Sequence, residues 1–199
     1  MRLFYSPGAC SLSPHIVSRE LNLPIKLERM DGKTHTLSDG ADYYALNPKG
    51  SVPALQLDDG QVLTEGTVIV QYLADQKPES GLLAKAGMER YRVLEWLNFI
   101  ATDIHRGMSP LFNPKVNEEG KASMKERLLQ RLGVVAKRLE SSEYLAGTFS
   151  VADPYLYTVL RWTPRFDIDL KQWPSLDAFM KRMAERPAVK AALGAEGLS

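Results

Sequence analysis

The stretch "MRLFYSPGACSLSPHIVSRELNLPIKLERM", residues 1–30, decides the architecture. "RLFYS" (2–6) is short, apolar and aromatic and stops at Pro7-Gly8, which reads as a buried strand. Leu12, Ile16, Val17 and Leu21 then recur at helical spacing as far as Asn22. "PIKLERM" (24–30) sets Ile25, Leu27 and, less regularly, Arg29 against Lys26 and Glu28, the alternation of a second strand. A strand, a helix and a strand within about 30 residues form a βαβ unit, expected to be parallel and right-handed.

Working outward, residues 31–50 are polar and loop-like, with a short helix expected at "ADYYAL" before Asn47-Pro48. "SVPALQL" and "QVLTE" flank Asp58-Asp59-Gly60, a strong hairpin signal. "GTVIVQYLADQ" places Val68, Ile69, Tyr72 and Leu73 on one helical face. The order βαβ, link, ββα is the thioredoxin-like α/β arrangement, a four-stranded mixed sheet with helices on both sides. "KPESG" (77–81) punctuates the chain, and only helical periods follow. Residues 89–108 carry a stripe of Val93, Leu94, Leu97, Ile100, Ala101, Ile104 and Met108. A second stripe, in 121–140, runs through Met124, Leu128, Leu132, Val135 and Leu139. "YLYTVLRW" (155–162) is apolar nearly all round and reads as a central buried helix; two more helices follow. The expected division is residues 1–80, thioredoxin-like, and 81–199, all-helical. In "FSVADPYL", Ser150 and Asp153 have capping-box spacing, a matter of folding rather than chemistry.

The composition excludes several classes. With 44% hydrophobic and 25% charged residues, a 199-residue chain can bury a core unaided. A net charge of +1 gives no case for nucleic acid or an anionic membrane. Residues 1–80 carry 7 Lys and Arg against 10 Asp and Glu, and residues 81–199 carry 18 against 14, a mild split. One cysteine makes no internal disulfide, which fits a reducing compartment; the first residues lack a secretory pattern, so a cytoplasmic location is expected. No apolar run approaches the ~20 residues of a membrane span. No metal site is expected.

That cysteine, Cys10, follows the Pro7-Gly8-Ala9 turn where a helix begins. Helix N–H groups and the positive dipole end favour thiolate, so a lowered pKa is expected there. The competing reading is a small buried hydrophobe. Pro53, leading into the third strand, is expected to be cis, turning the Val52 N–H and C=O outward to pair with an extended peptide; an edge-strand proline is the alternative. Glu65-Gly66 lies where the fourth strand meets a helix, with the Gly66 N–H poised for a carboxylate and Glu65 for an ammonium. Thiolate, strand-like backbone and amino-acid clamp together outline a site for a short peptide with a thiol and a γ-glutamyl head. Glutathione fits that outline.

"MRLFYSPGACSLSPHI", "NPKGSVPALQLDDGQVLTEG", "IVQYLAD", "EWLNFIATDIHRG", "FSVADPYLYTVLRW" and "RMAERPAVKAAL" with "AEGL" together resemble a bacterial beta-class glutathione transferase. The resemblance implies that Cys10 of "GACS", after Ala9, lies by the glutathione sulfur and can form a mixed disulfide with it. It implies that His105 reaches the sulfur from the helical domain. Asn98 precedes His105 by seven residues, about 700° of α-helix, so both are expected on one face with Thr102 between them. Asp103 joins Asn98, Thr102, Val52, Pro53, Glu65 and Gly66 in the implied glutathione set. Trp162 matches an aromatic near the electrophile pocket, with a core tryptophan as competitor. Where the family usually has a loop lysine for the glycine-end carboxylate, this chain has His35, with Lys33 two residues earlier. A neutral His35 donates one hydrogen bond but no charge, so glutathione binding is expected to weaken above pH about 6.5.

The implied activity is detoxifying conjugation of the glutathione thiolate to hydrophobic electrophiles, with glutathione as co-substrate, no further cofactor, and a homodimer. "CSLS" is also the monothiol form of C-x-x-C, so a thiol–disulfide reductase or a reductive dehalogenase is a rival reading. A non-enzymatic glutathione-fold binder is another.

Overall fold

The computed structural model describes residues 1–198. β1 (Arg2–Tyr5) and β2 (Lys26–Arg29) pair in parallel across helix α1 (Leu12–Glu20). β3 (Ala54–Gln56) lies antiparallel to β1, and β4 (Val62–Thr64) antiparallel to β3, giving the order β2-β1-β3-β4. Leu3↔Leu55 and Phe4↔Ala54 are registered opposite one another, and all four are buried. Helix α2 (Gly66–Asp75) follows β4 directly. This is the expected thioredoxin-like order. The short helix before Asn47 is a single 3-10 turn, Tyr43–Ala45, capped by the Asp42 side chain.

The remaining elements are helical: α3 (Met88–Phe99), a π-helical segment (Ile100–His105), α4 (Arg106–Phe112), α5 (Glu118–Glu140), α6 (Ala152–Leu160), α7 (Pro174–Glu185) and α8 (Pro187–Ala195). Every residue of α6 is buried, as its all-round apolarity predicts. The Ser150–Asp153 box forms with a changed bonding pattern. The Asp153 carboxylate accepts from the Ser150 N–H at 2.8 Å and hydroxyl at 3.0 Å, and from the Leu145 N–H at 3.0 Å. The Asp153 N–H donates to the Ser150 carbonyl rather than to its hydroxyl.

The chain divides into two compact units. The first holds Met1–Leu83 together with residues 184–198, and the second holds Ala84–Met183. Residues 184–198 thus fall with the sheet, where the sequence places everything after residue 80 in one helical domain. The reason lies in α8. It packs on α1, and Arg186 grips Glu20 through two hydrogen bonds, at 2.6 and 3.0 Å.

Four predicted apolar or polar positions come out differently. Val68 is exposed, because the buried face of α2 is Ile69, Val70, Leu73 and Ala74, one step round from the predicted stripe. Met124 is exposed while Leu128, Leu132, Val135 and Leu139 are buried, so the α5 stripe begins a turn later. In β2 the alternation holds at Lys26, which is exposed, and Leu27, and breaks at the end: Glu28 is buried, satisfied by the Ser38 hydroxyl at 2.6 Å, and Arg29 is exposed.

Candidate functional site

In the first unit, α1 begins at Leu12 with Ser11 in the capping position, so Cys10 sits two residues ahead of the helix. The loop is held by Ser11: its hydroxyl accepts from the Ser6 N–H at 3.2 Å and lies 3.3 Å from the Ser6 carbonyl. The Ala9 N–H donates to the same carbonyl at 3.1 Å. The Cys10 thiol donates to the Val52 carbonyl at 3.2 Å. This corrects two expectations. The thiol is not depressed: burial of the sulfur pushes its pKa up to about 11, the backbone N–H groups of Cys10 and Ser11 oppose this, and the Glu65 carboxylate adds to it. The Val52 carbonyl is engaged by the sulfur rather than free for a peptide. The Val52–Pro53 peptide is cis, as expected.

Glu65 occupies the capping position of α2 at φ +70°, a conformation that non-glycine residues rarely adopt and that gathers at functional sites. Gly66 packs under the Pro53 ring, its Cβ position lying 3.5 Å from Cγ. The first N–H groups of a helix have no acceptor within it, so the Gly66 and Thr67 amides suit a carboxylate. Lys49, absent from the predicted set, donates to Glu65 Oε1 at 2.6 Å and to the Thr64 hydroxyl at 2.9 Å. Its position in "NPKGSVP" (47–53), just ahead of the cis peptide, is the signal that marks it. His35 lies at φ +55° with its ring stacked on Tyr44 at 4.8 Å, and Lys33 is exposed. The Asp31 carboxylate turns this loop by accepting from the Lys33 and Thr34 N–H groups.

In the second unit, Thr102, Asp103 and His105 lie in the π-helical segment and Asn98 in the last turn of α3. The wider π turn removes the 700° register on which one shared face for Asn98 and His105 was expected. Single π turns inside α-helices recur at functional sites. The Thr102 hydroxyl bonds the Asn98 carbonyl at 3.0 Å and the Asp103 carboxylate at 2.8 Å. Asp103 in turn pairs with Arg131 at 3.0 Å. His105 Nδ1 lies 2.6 Å from the Tyr155 hydroxyl, and its ring meets Trp162 edge-on at 5.1 Å. Burial, then the Arg106 charge, holds the His105 pKa below the ordinary histidine value, so the ring is neutral at neutral pH. Tyr155 is a second residue that sequence reasoning passed over, its polar tip hidden in an apolar helix. Trp162 is buried, with Phe112 at 6.0 Å beyond it. A cavity of about 730 Å³ bounded by Leu160, Thr163, Ile168, Leu170 and Met180 is lined by none of the predicted residues.

The predicted residues therefore fall into two groups. Ala9, Cys10, Lys33, His35, Val52, Pro53, Glu65 and Gly66 belong to the first unit, and Asn98, Thr102, Asp103, His105 and Trp162 to the second.

Family models described as the N-terminal and the C-terminal domain of glutathione S-transferase match residues 8–76 and 99–187. The glutathione S-transferase GstA of Escherichia coli O157:H7 is 48% identical over the full length of both chains. Solved structures that cover 100% of each chain include two glutathione S-transferases. One is a bacterial beta-class glutathione S-transferase of Sphingomonas chungbukensis, at a TM-score of 0.96 and 42% identity. The other is a sphingomonad glutathione S-transferase complexed with glutathione, at 0.96 and 43%.

Proposed function

Since the chain belongs to the glutathione S-transferase family, we propose that it joins the sulfur of glutathione to hydrophobic electrophiles, with beta-class site residues. The observation that carries the reading is the grouping of Cys10, Val52, Glu65 and the first α2 amides in one unit. Glutathione lies along Val52, with its γ-glutamyl carboxylate on the Gly66 and Thr67 amides and its ammonium on Glu65. Its glycine-end carboxylate meets the loop of Lys33 and His35. The attacking thiolate is that of glutathione, because Cys10 holds its own proton to about pH 11. The amides beside Cys10 are the donors that stabilise a bound sulfur anion, the Cys10 S–H being taken up by the Val52 carbonyl. His105 is assigned to the same sulfur by its motif; as a neutral ring it offers a hydrogen bond and not a charge. The electrophile is assigned to the aromatic surroundings of Trp162.

The raised thiol weighs against the reductase and dehalogenase alternatives, which need a nucleophilic Cys10 at neutral pH. A homodimer and a cytoplasmic location belong to the same proposal. The lone free thiol supports the compartment, and exposed Met88 and Tyr91 support an association surface, which light scattering of the purified chain tests.

The deciding experiment is conjugation of glutathione to a chlorinated nitrobenzene by wild type and Cys10→Ala. Turnover by both, with kcat in the variant reduced by no more than about tenfold, is the expected result. Loss of conjugation in the variant with glutathione binding intact would make Cys10 the activator and overturn this assignment.

A further inference from the structure

The "AEGL" run, residues 195–198, helps to carry the family resemblance yet has no role in the site described so far. In the fold it begins at the last residue of α8, and Glu196, which caps that helix, turns inward. Its carboxylate is fully buried, at 0% side-chain exposure. A buried carboxylate is costly unless several donors meet it. Two do. The Gly8 N–H donates to Oε2 at 2.9 Å, and His15 Nδ1 lies 2.8 Å from Oε1. His15 is itself buried in α1, and its Nε2 accepts from Arg19 Nε at 3.3 Å, which fixes the Nδ1 proton toward Glu196. Leu198 packs on the same loop, 3.6 Å from where a Gly8 Cβ would stand.

Gly8 precedes Cys10 by two residues, and His15 lies in the helix that follows. One carboxylate therefore spans both ends of the segment that presents the thiol, from 188 residues away in the chain. Buried polar networks that are fully satisfied specify a single arrangement.

We propose that Glu196, with His15, is a positioning residue that sets the Pro7–Cys10 loop and thereby holds the Cys10 sulfur against the Val52 carbonyl. Its value for glutathione binding rests on the function proposed above; its effect on the thiol does not. Loosening the loop frees the sulfur from its buried place, so Cys10 becomes more open to reagents.

The test uses the full chain without glutathione and follows Cys10 alkylation by iodoacetamide at pH 8. Glu196→Ala is expected to speed alkylation at least fivefold. Glu196→Gln is expected to give a rate between those of wild type and Glu196→Ala, because its amide oxygen still accepts from Gly8 while its amide nitrogen faces the His15 Nδ1 donor. Asp153→Ala, which destabilises α6 in the other unit and touches neither the loop nor α8, is the control for a general loss of stability and should change the rate less than twofold. With glutathione and an electrophile, Glu196→Ala should raise the glutathione KM about fivefold and leave the electrophile KM within twofold. Should Glu196→Ala not fold, Glu196→Asp replaces it, its shorter carboxylate reaching only one of the two donors, with at least a threefold rise in alkylation expected. An unchanged alkylation rate, or the same rise in Asp153→Ala, overturns the proposal. Absence of any glutathione turnover with alkylation behaving as expected would instead strike the proposed function and leave the loop assignment standing.

Discussion

Cys10 shows how two opposing effects on one sulfur are decided by place. Amide hydrogen bonds near a helix start favour thiolate, but the sulfur stands two residues before α1 and loses more from desolvation than it gains. The hydrogen bond to the Val52 carbonyl agrees, since only a protonated sulfur donates. Alkylation of the free enzyme should accordingly rise with pH toward an inflection near 11, with no step near the ordinary cysteine value of about 8.5. A step at or below 8.5 in a stopped-flow pH series would contradict the burial argument. Lys49 gives a second residue-scale expectation. Its ammonium occupies Glu65, where the glutathione ammonium is proposed to bind. Both partners are more than half exposed, at 55% and 63%, so the pair is worth at most about 1 kcal/mol. Lys49→Ala should therefore lower the glutathione KM by up to about fivefold. A rise instead would mean that Lys49 moves onto the glycine-end carboxylate and supplies the charge that His35 lacks.

Among elements, α6 depends on one buried carboxylate. Asp153 satisfies three donors, and Asp153→Ala strands the Leu145 and Ser150 amides, at about 1–3 kcal/mol each. A fall in Tm of several degrees is expected by calorimetry, with residual kcat unchanged for the folded fraction. Burial also lifts the Asp153 pKa from 3.8 to about 6, against the pull of those hydrogen bonds. Between these values the folded state holds more protons than the unfolded one, so this group's contribution falls as pH rises from about 4 to 6 and is level above. The stability of wild type relative to Asp153→Asn should be larger at pH 4.5 than at pH 7. The strand order, the Asp58-Asp59-Gly60 hairpin and the buried α6 were legible because each is set by local periodicity and turn chemistry. The π turn at Ile100–His105 was not, since an apolar stripe reads alike in α and π geometry over so few residues. Nor were the partners Lys49, Tyr155 and Glu196, nor the direction of the Cys10 shift. These depend on groups 16 to 188 residues apart that only the fold brings together.

For the whole molecule, the return of residues 184–198 to the sheet-bearing unit has a measurable consequence. α8 is short and would be marginal alone. It is held by packing on α1 and by the Arg186–Glu20 pair, whose members are only 26% and 15% exposed. A pair this sheltered is less screened than a surface bridge, and removing Arg186 leaves the Glu20 carboxylate half-buried without its strongest donor. Arg186→Ala should cost about 1–3 kcal/mol. Because α1 and α8 brace one another, amide exchange in residues 12–20 and 187–195 should rise together by a similar factor. Exchange in 118–140 should stay as it is in wild type. Faster exchange confined to 187–195 would mean that α8 frays independently, and that the first unit holds its thiol-bearing helix without help from the residues that follow α7.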